Sequence, residues 1–350
     1  MDKLHKFLFE GLPVRGMLVR LGPSWRELLS RRTSASDGGH AFAAPVRALL
    51  GEMAAAAVLM QGSLKFNGAL ILQMQGDGPV RLAVAEALPD LSFRATAKVV
   101  GEVPADARLE AMLNLHGQGR CAITLDPLDR LPGQQPYQGV VPLHGDQREP
   151  LQRLSEVLEH YMLQSEQLDT RLVLAANDEV AAGLLIQRLP MAGSNNLAGS
   201  NNLAGSNNLA GSANLAGGLD LAGELQISAD EDQIGRNEDY NRIALLAATL
   251  TADELLTLRP EQVLHRLFWD ETLRLFEPES PRFACRCSRD RVASMLRGLG
   301  ADEVTSLIAE RGEAEVGCDF CGAIYRFDPV DVGELFTPGR EAPPSSNQTH

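Results

Sequence analysis

The sequence is poor in aromatic residues, has no long apolar run and carries no excess of basic residues. Aromatics make up only 5% of its 350 residues, so the core must be built mainly from Leu, Val, Ile and Ala. The most apolar stretch, near residues 53–60, is far shorter than the roughly 20 apolar residues that cross a bilayer, so we expect no membrane partner. The formal net charge of -14 argues against a nucleic-acid partner, because binding to phosphates depends on Lys and Arg.

The N-terminus does not have the pattern of a secretory signal peptide. Residues 1–10 lack the apolar segment of such a signal and carry acidic residues early. We therefore expect a cytoplasmic protein. Because structural disulfides are rare in a reducing compartment, the five cysteines are interpreted as thiols, metal ligands or redox sensors.

Residues 1–190 alternate between helical and strand patterns. The Ala- and Leu-rich run at 41–61 predicts a buried helix, and Gly76-Asp77-Gly78-Pro79 predicts a hairpin turn between strands at 69–75 and 80–86. Further elements are predicted as strands at 121–125, 139–141 and 170–175 and a helix at 151–165. Antiparallel strands with segregated helices predict an α+β fold, with a mixed α/β core domain built on an antiparallel sheet.

A low-complexity insert at 191–223 follows this core domain. Residues 192–221 are five tandem hexapeptides of the type Ala-Gly-Ser-Asn-Asn-Leu. One Leu in six residues cannot offset the entropy of ordering, and the tract is too short for a hexapeptide β-solenoid, which is the alternative fold for such a repeat. We predict a flexible insert.

Residues 224–280 return to helical patterning and are predicted to form a helical linker region. Thr251 and Glu254 fit a capping box at a helix start, and Pro260 suits the first turn of the next helix. That next helix carries an apolar stripe of Val263, Leu264, Leu267 and Phe268. Such a stripe is either ordinary core or the face of a module that docks and can be released.

Two close pairs of cysteines predict a zinc site. Cys285-Arg-Cys287 is separated by 30 residues from Cys318-Asp-Phe-Cys321-Gly322, and four thiolates suit tetrahedral Zn²⁺. A unit as small as residues 281–336 has only marginal stability without a cross-link such as a metal ion, so we expect it to depend on one zinc ion for its fold. Residues 337–350 are predicted to be a disordered tail.

The same thiolates suit a redox switch. Oxidants attack thiolates, and cationic neighbours favour the thiolate form. The arginines near the first pair are either such neighbours or solvated surface residues; they are Arg282, Arg286, Arg289 and Arg291. A sulfenic acid on one cysteine of a close pair can be resolved by its neighbour, which predicts Cys285–Cys287 and Cys318–Cys321 disulfides in the oxidised form. A purely structural zinc site is the alternative.

Several motifs resemble the heat shock protein 33 family of redox-regulated chaperones. They are the two cysteine pairs with their flanking residues, Leu64-Lys-Phe-Asn-Gly68, Gln73-Met-Gln-Gly-Asp-Gly-Pro79, Tyr137-Gln-Gly-Val-Val141, Ser165-Glu-Gln-Leu-Asp-Thr-Arg171 and Glu254-Leu-Leu-Thr-Leu258. The resemblance implies an ATP-independent holdase whose reduced, zinc-bound form is inactive. Oxidation in this family forms two disulfides, releases zinc and unfolds the zinc domain and the linker. The exposed surface binds unfolding client proteins, and the active form tends to dimerise. The hexapeptide insert departs from the family pattern.

Three other classes of function fit the sequence less well. A zinc-ribbon nucleic-acid-binding protein would carry an excess of basic residues. Residues 281–336 instead hold seven Arg and no Lys against ten acidic residues. In a thioredoxin-like thiol-disulfide oxidoreductase the Cys-x-x-Cys motif lies at the start of a helix, whereas a strand-like run follows Cys321 here. No hydrolase motif is found, so we expect no enzyme. Cys121 is expected to be a buried core thiol, and His265 a structural residue.

Overall fold

The computed structural model describes residues 1–33, 42–130, 133–189 and 235–337. These residues fall into two compact units, here called the N-terminal and C-terminal units, which divide between Ala284 and Cys285 except that residues 31–33 are grouped with the C-terminal unit. The predicted insert at 191–223 lies outside the described residues, and so does the predicted tail apart from Thr337. The division into core, insert, linker and zinc-binding domain therefore stays a prediction.

Ten helices and thirteen strands lie in the described ranges. The strands are β1 (Lys3–Phe9), β2 (Val14–Leu21), β3 (Gly68–Gln75), β4 (Val80–Ala87), β5 (Ser92–Val99), β6 (Arg120–Pro127), β7 (Tyr137–Pro142), β8 (Thr170–Ala176), β9 (Ala181–Arg188), β10 (Leu273–Leu275), β11 (Arg282–Phe283), β12 (Ala314–Gly317) and β13 (Ile324–Phe327). The helices are α1 (Pro23–Thr33), α2 (Ala44–Ser63), α3 (Leu109–Leu113), α4 (Leu154–Glu166), α5 (Glu238–Ala248), α6 (Ala252–Thr257), α7 (Pro260–Phe268), α8 (Arg289–Leu299), α9 (Ala301–Arg311) and α10 (Pro329–Phe336).

Two sheets form the framework of the N-terminal unit. Sheet A is antiparallel in the order β10-β1-β2-β9-β8. Sheet B has the order β11-β5-β4-β3-β6-β7 and is antiparallel except for β11, which pairs with β5 in parallel. The predicted α+β fold with an antiparallel sheet is confirmed.

The predicted hairpin joins β3 to β4. Its turn brings the chain against other main-chain atoms, so that a Cβ added at Gly76 would lie 2.3 Å from the Val80 carbonyl oxygen. A Cβ at Gly78 would lie 2.5 Å from the Met112 carbonyl oxygen. Glycine is therefore required at both positions, which explains why this turn could be predicted from the sequence.

Helix α2 is the predicted buried helix and packs against both sheets. The side chains of Ala54, Ala55, Ala56 and Ala57 are all fully buried, although four consecutive residues point in different directions around a helix. A helix that buries every side must be apolar throughout, and the small side chains let both sheets approach it closely. The main hydrophobic core of the unit is built around this helix.

Helices α5, α6 and α7 cover the other face of sheet A. Because successive strand residues point to opposite faces, Val14 and Leu18 of β2 contact these helices, while Met17 and Val19 belong to the core around α2. The predicted apolar stripe of α7 is buried against sheet A. Its Phe268 ring lies 5.0 Å from the Phe9 ring, centroid to centroid, in an edge-to-face arrangement.

The end of the predicted linker region is not helical. Residues Leu273–Leu275 form β10, which pairs with β1 at the edge of sheet A. Lys6 adds an ion pair of 2.6 Å to Glu279, just beyond this strand. A strand of three residues has no periodicity of its own, so only pairing with a strand more than 260 residues earlier in the chain defines it.

Arg20 of β2 satisfies the C-terminal carbonyls of α6. Its guanidinium donates hydrogen bonds to the carbonyl oxygens of Leu255 at 3.2 Å, Leu256 at 2.6 Å and Leu258 at 3.3 Å. The last carbonyls of a helix have no partner within the helix, so a side chain from the sheet fixes the position of α6.

Arg20→Met is expected to lower the free energy of unfolding by about 2–3 kcal/mol, because it keeps the apolar stem but removes charged hydrogen bonds. Urea unfolding of the reduced, zinc-loaded protein measures this change. Arg26→Met is the matched control, since the Arg26–Glu179 pair is solvent-exposed at 3.4 Å and its loss should cost less than about 0.5 kcal/mol. Equal effects of the two variants would contradict a role of Arg20 in fixing α6.

Candidate metal centre

The C-terminal unit is small and is held by few apolar contacts. Its buried hydrophobic cluster consists of Ala293, Leu296, Val304, Ala314, Phe327 and Val332. Helix α8 begins after Ser288, whose hydroxyl accepts a hydrogen bond from the Arg291 amide. A core of six residues is a weak basis for an independent fold, so an additional cross-link would contribute much of its stability.

The antiparallel pair β12 and β13 carries the second cysteine pair in its turn. The Cys318 amide donates to the Ala323 carbonyl at 2.8 Å, and the Gly322 amide donates to the Cys318 carbonyl at 2.8 Å. Gly322 has a φ of 69°, a left-handed conformation that glycine adopts without steric cost. This tight turn directs both sulfurs of the pair to the same side.

The four cysteine sulfurs of the two pairs lie together. All four are within 4.8 Å of one another. The Cys285 sulfur lies 3.6 Å from that of Cys318, and the Cys287 sulfur lies 3.3 Å from that of Cys321. Zn–S bonds of about 2.3 Å in a tetrahedron place sulfurs about 3.8 Å apart, so the four thiols fit a tetrahedral metal ion of this size.

Main-chain and side-chain donors surround the sulfurs. The Phe320 and Cys321 amides donate to the Cys318 sulfur, and the Ala323 amide donates to the Cys321 sulfur. The Cys287 sulfur accepts a hydrogen bond from the Tyr325 hydroxyl, with an O–S distance of 3.1 Å. Tyr325 is not among the site residues that the sequence predicts.

The thiols without metal differ in acidity. Burial raises the pKa of Cys287, but hydrogen bonds from Tyr325 and the neighbouring cysteines outweigh burial and bring it to about 7. Burial raises the pKa of Cys318 and of Cys321. Donation to the Cys287 sulfur raises the pKa of Tyr325 to about 12. Hydrogen bonding thus lowers the pKa of Cys287, whereas burial raises the pKa of both cysteines of the second pair.

Three of the arginines near the first cysteine pair contact groups other than the sulfurs. Arg289 lies over the Phe327 ring at 4.2 Å from its centroid and forms an ion pair of 2.8 Å with Asp331. Arg291 donates to the Arg286 carbonyl at 2.9 Å. In the N-terminal unit, Arg282 pairs with Asp90. The contacts of Arg289 and Arg291 join parts of the C-terminal unit to each other.

Cys121 belongs to the N-terminal unit and is not one of the four clustered cysteines. It is on β6, opposite Met74 of β3 and Val141 of β7, and its side chain is fully buried. Burial raises the pKa of its thiol to about 12. His265 is on α7, away from the cysteine cluster in sequence and on the other side of the division between the units.

Within the described residues, no helix has both the length and the hydropathy that a membrane-spanning segment requires.

Comparison with known proteins connects this site to a family. The family model for Hsp33 protein matches residues 2–328. A 33 kDa chaperonin of Chromobacterium violaceum is 41% identical over 335 residues, covering 96% of this chain and 94% of that protein. A 33 kDa chaperonin of Nitrosococcus oceani is 37% identical over 347 residues, covering 99% and 98% of the two chains.

The fold is similar to a solved structure as well. The crystal structure of a 33 kDa chaperonin from Thermotoga maritima, a heat shock protein 33 homologue, superimposes with a TM-score of 0.67. It is 19% identical, and the match covers 96% of this chain and 98% of that one. The likeness of the folds agrees with the nearly full-length sequence matches, and the resemblance inferred from the motifs is confirmed: this chain belongs to the Hsp33 family, whose relatives named above are chaperonins.

Proposed function

We propose that the protein is a redox-regulated, ATP-independent holdase chaperone that binds unfolding proteins under oxidative stress. In the reduced, inactive form, one Zn²⁺ is held by Cys285, Cys287, Cys318 and Cys321. The observation that carries this proposal is the meeting of these four sulfurs in a unit with a buried core of only six residues. Oxidation of the sulfurs therefore removes the main source of stability of the unit.

The oxidised form contains two disulfides, Cys285–Cys287 and Cys318–Cys321. With hypochlorous acid as oxidant, two thiolates give two electrons to the chlorine atom, a disulfide bond forms, and chloride and water leave after uptake of one proton. In the folded unit, sulfur contacts of 3.6 Å and 3.3 Å join the two pairs crosswise. Once the metal has left and the unit opens, closure within each pair is favoured because the loops are shortest.

Unfolding of the C-terminal unit is followed by release of the helical linker region. The contacts of α5, α6 and α7 with sheet A are largely apolar, and the shared cluster includes Phe7, Phe9, Ile243, Leu255 and Phe268. Separation of these helices from the sheet would expose both apolar faces. Such surfaces bind the exposed apolar segments of unfolding client proteins without ATP.

Three further features belong to the same proposal. The protein acts in the cytoplasm, it forms a homodimer when oxidised, and it has no catalytic role. Exposed apolar faces favour self-association as well as client binding. Sedimentation of the reduced and oxidised protein at several concentrations measures the dimer directly.

Zinc release under oxidation tests the proposal. The reduced protein is expected to contain about one zinc ion per monomer, and hypochlorite or peroxide with mild heat should release it with loss of four thiols. Cys121 should stay reduced, because it is fully buried and burial raises its pKa to about 12. Thiol counting and a chromogenic zinc chelator follow both events.

Client protection provides the functional readout. Only the oxidised protein is expected to suppress light scattering by a heat-unfolding client. Equal behaviour of reduced and oxidised protein would make the site purely structural. Tight, steeply salt-dependent binding of single-stranded nucleic acid would favour a zinc ribbon, and catalysed disulfide exchange would favour an oxidoreductase.

A further inference from the structure

A cavity of about 400 Å³ lies in the N-terminal unit, between sheet A and the corner where α6 leads into α7. Its lining comes from β1, from β2 and from the first residues of α7. The lining side chains that carry a charge or a ring nitrogen are Lys3, His5, Arg20, Arg259 and Glu261. None of these residues belongs to the metal centre, so the cavity is a separate feature of the fold.

Positive charge predominates in the lining of this cavity. Lys3, Arg20 and Arg259 are cationic, and among the described lining residues Glu261 is the one carboxylate. The chain as a whole has a formal net charge of -14, so a local excess of cations is unusual for this protein. A concave surface with one sign of charge attracts ions of the other sign. The charge of the lining therefore favours an anionic ligand.

The pairing of β1 with β2 brings two of these cations together. Lys3 lies directly opposite Arg20, and His5 follows two residues after Lys3, so the three side chains share one face of sheet A. The same face carries Phe7 and Phe9, which pack against the linker helices. Like charges directly opposite each other destabilise a sheet. An anion bound between Lys3 and Arg20 would offset this repulsion.

The hydrogen bonds of the two guanidinium groups go to neutral oxygens. Arg20 donates to three main-chain carbonyls at the end of α6, and Arg259 donates to the side-chain amide oxygen of Gln262 at 3.4 Å. Neutral acceptors do not balance the charge of a cation. Burial lowers the pKa of Arg20, which means that its surroundings disfavour the charged form. A negative charge in the cavity would favour that form instead.

The donors around the cavity suit phosphate groups. A guanidinium presents a planar set of N–H groups that matches two phosphate oxygens, and a lysine adds a compact charge. Burial lowers the pKa of His5, so its ring is uncharged near neutral pH and offers one N–H donor. The volume of the cavity is within the range of small-molecule sites, about 300–1,000 Å³. A small phosphorylated molecule therefore fits both the charge and the size.

We propose that this cavity binds a small molecule that carries two or more phosphate groups, and that the bound ligand holds the linker helices on sheet A. One phosphate group faces the cations of the sheet, and another faces Arg259 at the start of α7. The binding site is independent of the proposed function. Its regulatory effect rests on the proposed function, in which release of the linker helices activates the chaperone.

The two sides of the cavity belong to parts of the protein that separate when the linker helices are released. Lys3 and Arg20 stay with sheet A, whereas Arg259 moves with α6 and α7. A ligand that contacts both sides binds the docked form in preference to the released form. At a ligand concentration of 100 times the dissociation constant, the population of the released form falls about a hundredfold.

Calorimetric titration of the reduced, zinc-loaded protein with pyrophosphate tests the site. The wild type is expected to bind one pyrophosphate per monomer, and the Lys3→Gln/Arg259→Gln variant should bind it at least about tenfold more weakly, because two charged donors are lost. Arg20 is left unchanged, since it also fixes the position of α6. Zinc content is measured before and after titration, because pyrophosphate can also bind metal ions.

Lys65→Gln/Lys98→Gln is the matched control. Both lysines are exposed and lie outside the lining of the cavity, so this variant loses the same number of charges elsewhere on the N-terminal unit. Its affinity for pyrophosphate should equal that of the wild type. Equal weakening in the two variants would mean attraction to net charge without a site and would overturn the proposal, as would a wild type that does not bind pyrophosphate.

Hydrogen exchange tests whether the ligand holds the linker helices. With pyrophosphate at ten times its dissociation constant, exchange at the amides of α6 and α7 should slow about tenfold, while exchange at 289–336 stays unchanged. Binding without this slowing would overturn the role of the ligand in holding the linker. Neither measurement uses an oxidant, so both would stand if reduced and oxidised protein protected clients equally, an outcome that would overturn the proposed function alone.

Discussion

Replacement of Cys321 by serine is expected to reduce the zinc content of the purified protein from about one ion per monomer to nearly none. Cys321 is the most buried of the four cysteines, with 7% of its surface exposed. A serine hydroxyl is not ionised near neutral pH and is a poor zinc ligand. If four ligands share an apparent binding energy of about 10–16 kcal/mol, the loss of one weakens binding by a factor on the order of a hundred or more.

Loss of zinc in this variant should unfold one unit and spare the other. Without zinc, the C-terminal unit is stabilised only by its small buried cluster, whereas the N-terminal unit is built around α2 and two sheets. Hydrogen exchange is expected to show loss of amide protection at 285–337 and retained protection in α2 and its neighbouring strands. Because its C-terminal unit is already open, the variant should also protect clients without any oxidant.

Cys121→Ala is the matched control for Cys321→Ser. It removes a thiol that is buried in the N-terminal unit and lies outside the metal centre. The control should keep its zinc, its exchange pattern in residues 285–337 and its inactivity in the reduced form. Full amide protection of the C-terminal unit in metal-free Cys321→Ser would contradict the proposed mechanism, because the switch would then have no part that unfolds.

Features defined by local sequence were predictable. The spacing of the cysteines predicts their convergence, because two close pairs separated by helices and followed by a glycine are typical of a tetrahedral site. The buried helix α2 follows from an apolar run without a polar face, and the β3–β4 hairpin follows from its glycine-rich turn. In each case the chemistry of adjacent residues is enough to determine the local structure.

Features that depend on distant partners were not predictable. Strand β10 pairs with β1, and β11 is a two-residue strand paired with β5, so neither has a pattern of its own. The contact of Tyr325 with Cys287 depends on the twist and register of the β12–β13 hairpin. A tyrosine four residues after Cys321 on a strand is the signal that could have suggested this contact.

The arginines near the first cysteine pair illustrate a limit of reading charge from sequence. Proximity along the chain suggested that they neutralise the thiolates or are solvated. Arg289 is half-exposed, but it also stacks on Phe327 and pairs with Asp331. A guanidinium is planar and weakly hydrated, so it can serve as a packing group as well as a charge.

Replacement of Phe268 by alanine is expected to activate the reduced, zinc-loaded protein. Phe268 is 2% exposed, and its ring centroid lies 5.0 Å from that of Phe9 and 6.2 Å from that of Phe7. Truncation of a buried phenylalanine costs about 3–5 kcal/mol, through lost burial and the cavity that remains. This loss falls on the contact between α7 and sheet A.

The expected consequence is local opening of the linker helices while the metal centre is intact. Because α5, α6 and α7 share one apolar cluster with sheet A, weakening α7 should increase exchange at the amides of all three helices. The exposed faces should then suppress light scattering by a heat-unfolding client without oxidation or zinc loss. Zinc content is measured on the same sample to exclude opening of the C-terminal unit.

Trp269→Ala is the matched control, because the adjacent aromatic side chain is 73% exposed. It removes an even larger apolar group but little buried contact, so stability should change by less than about 0.5 kcal/mol and the reduced protein should stay inactive. If both variants were active in the reduced form, the cause would be the loss of an aromatic side chain in general and not the loss of the buried contact between α7 and sheet A. An open but inactive Phe268→Ala would mean that the face between α7 and sheet A does not bind clients, and the client-binding surface would have to lie in the unfolded C-terminal unit.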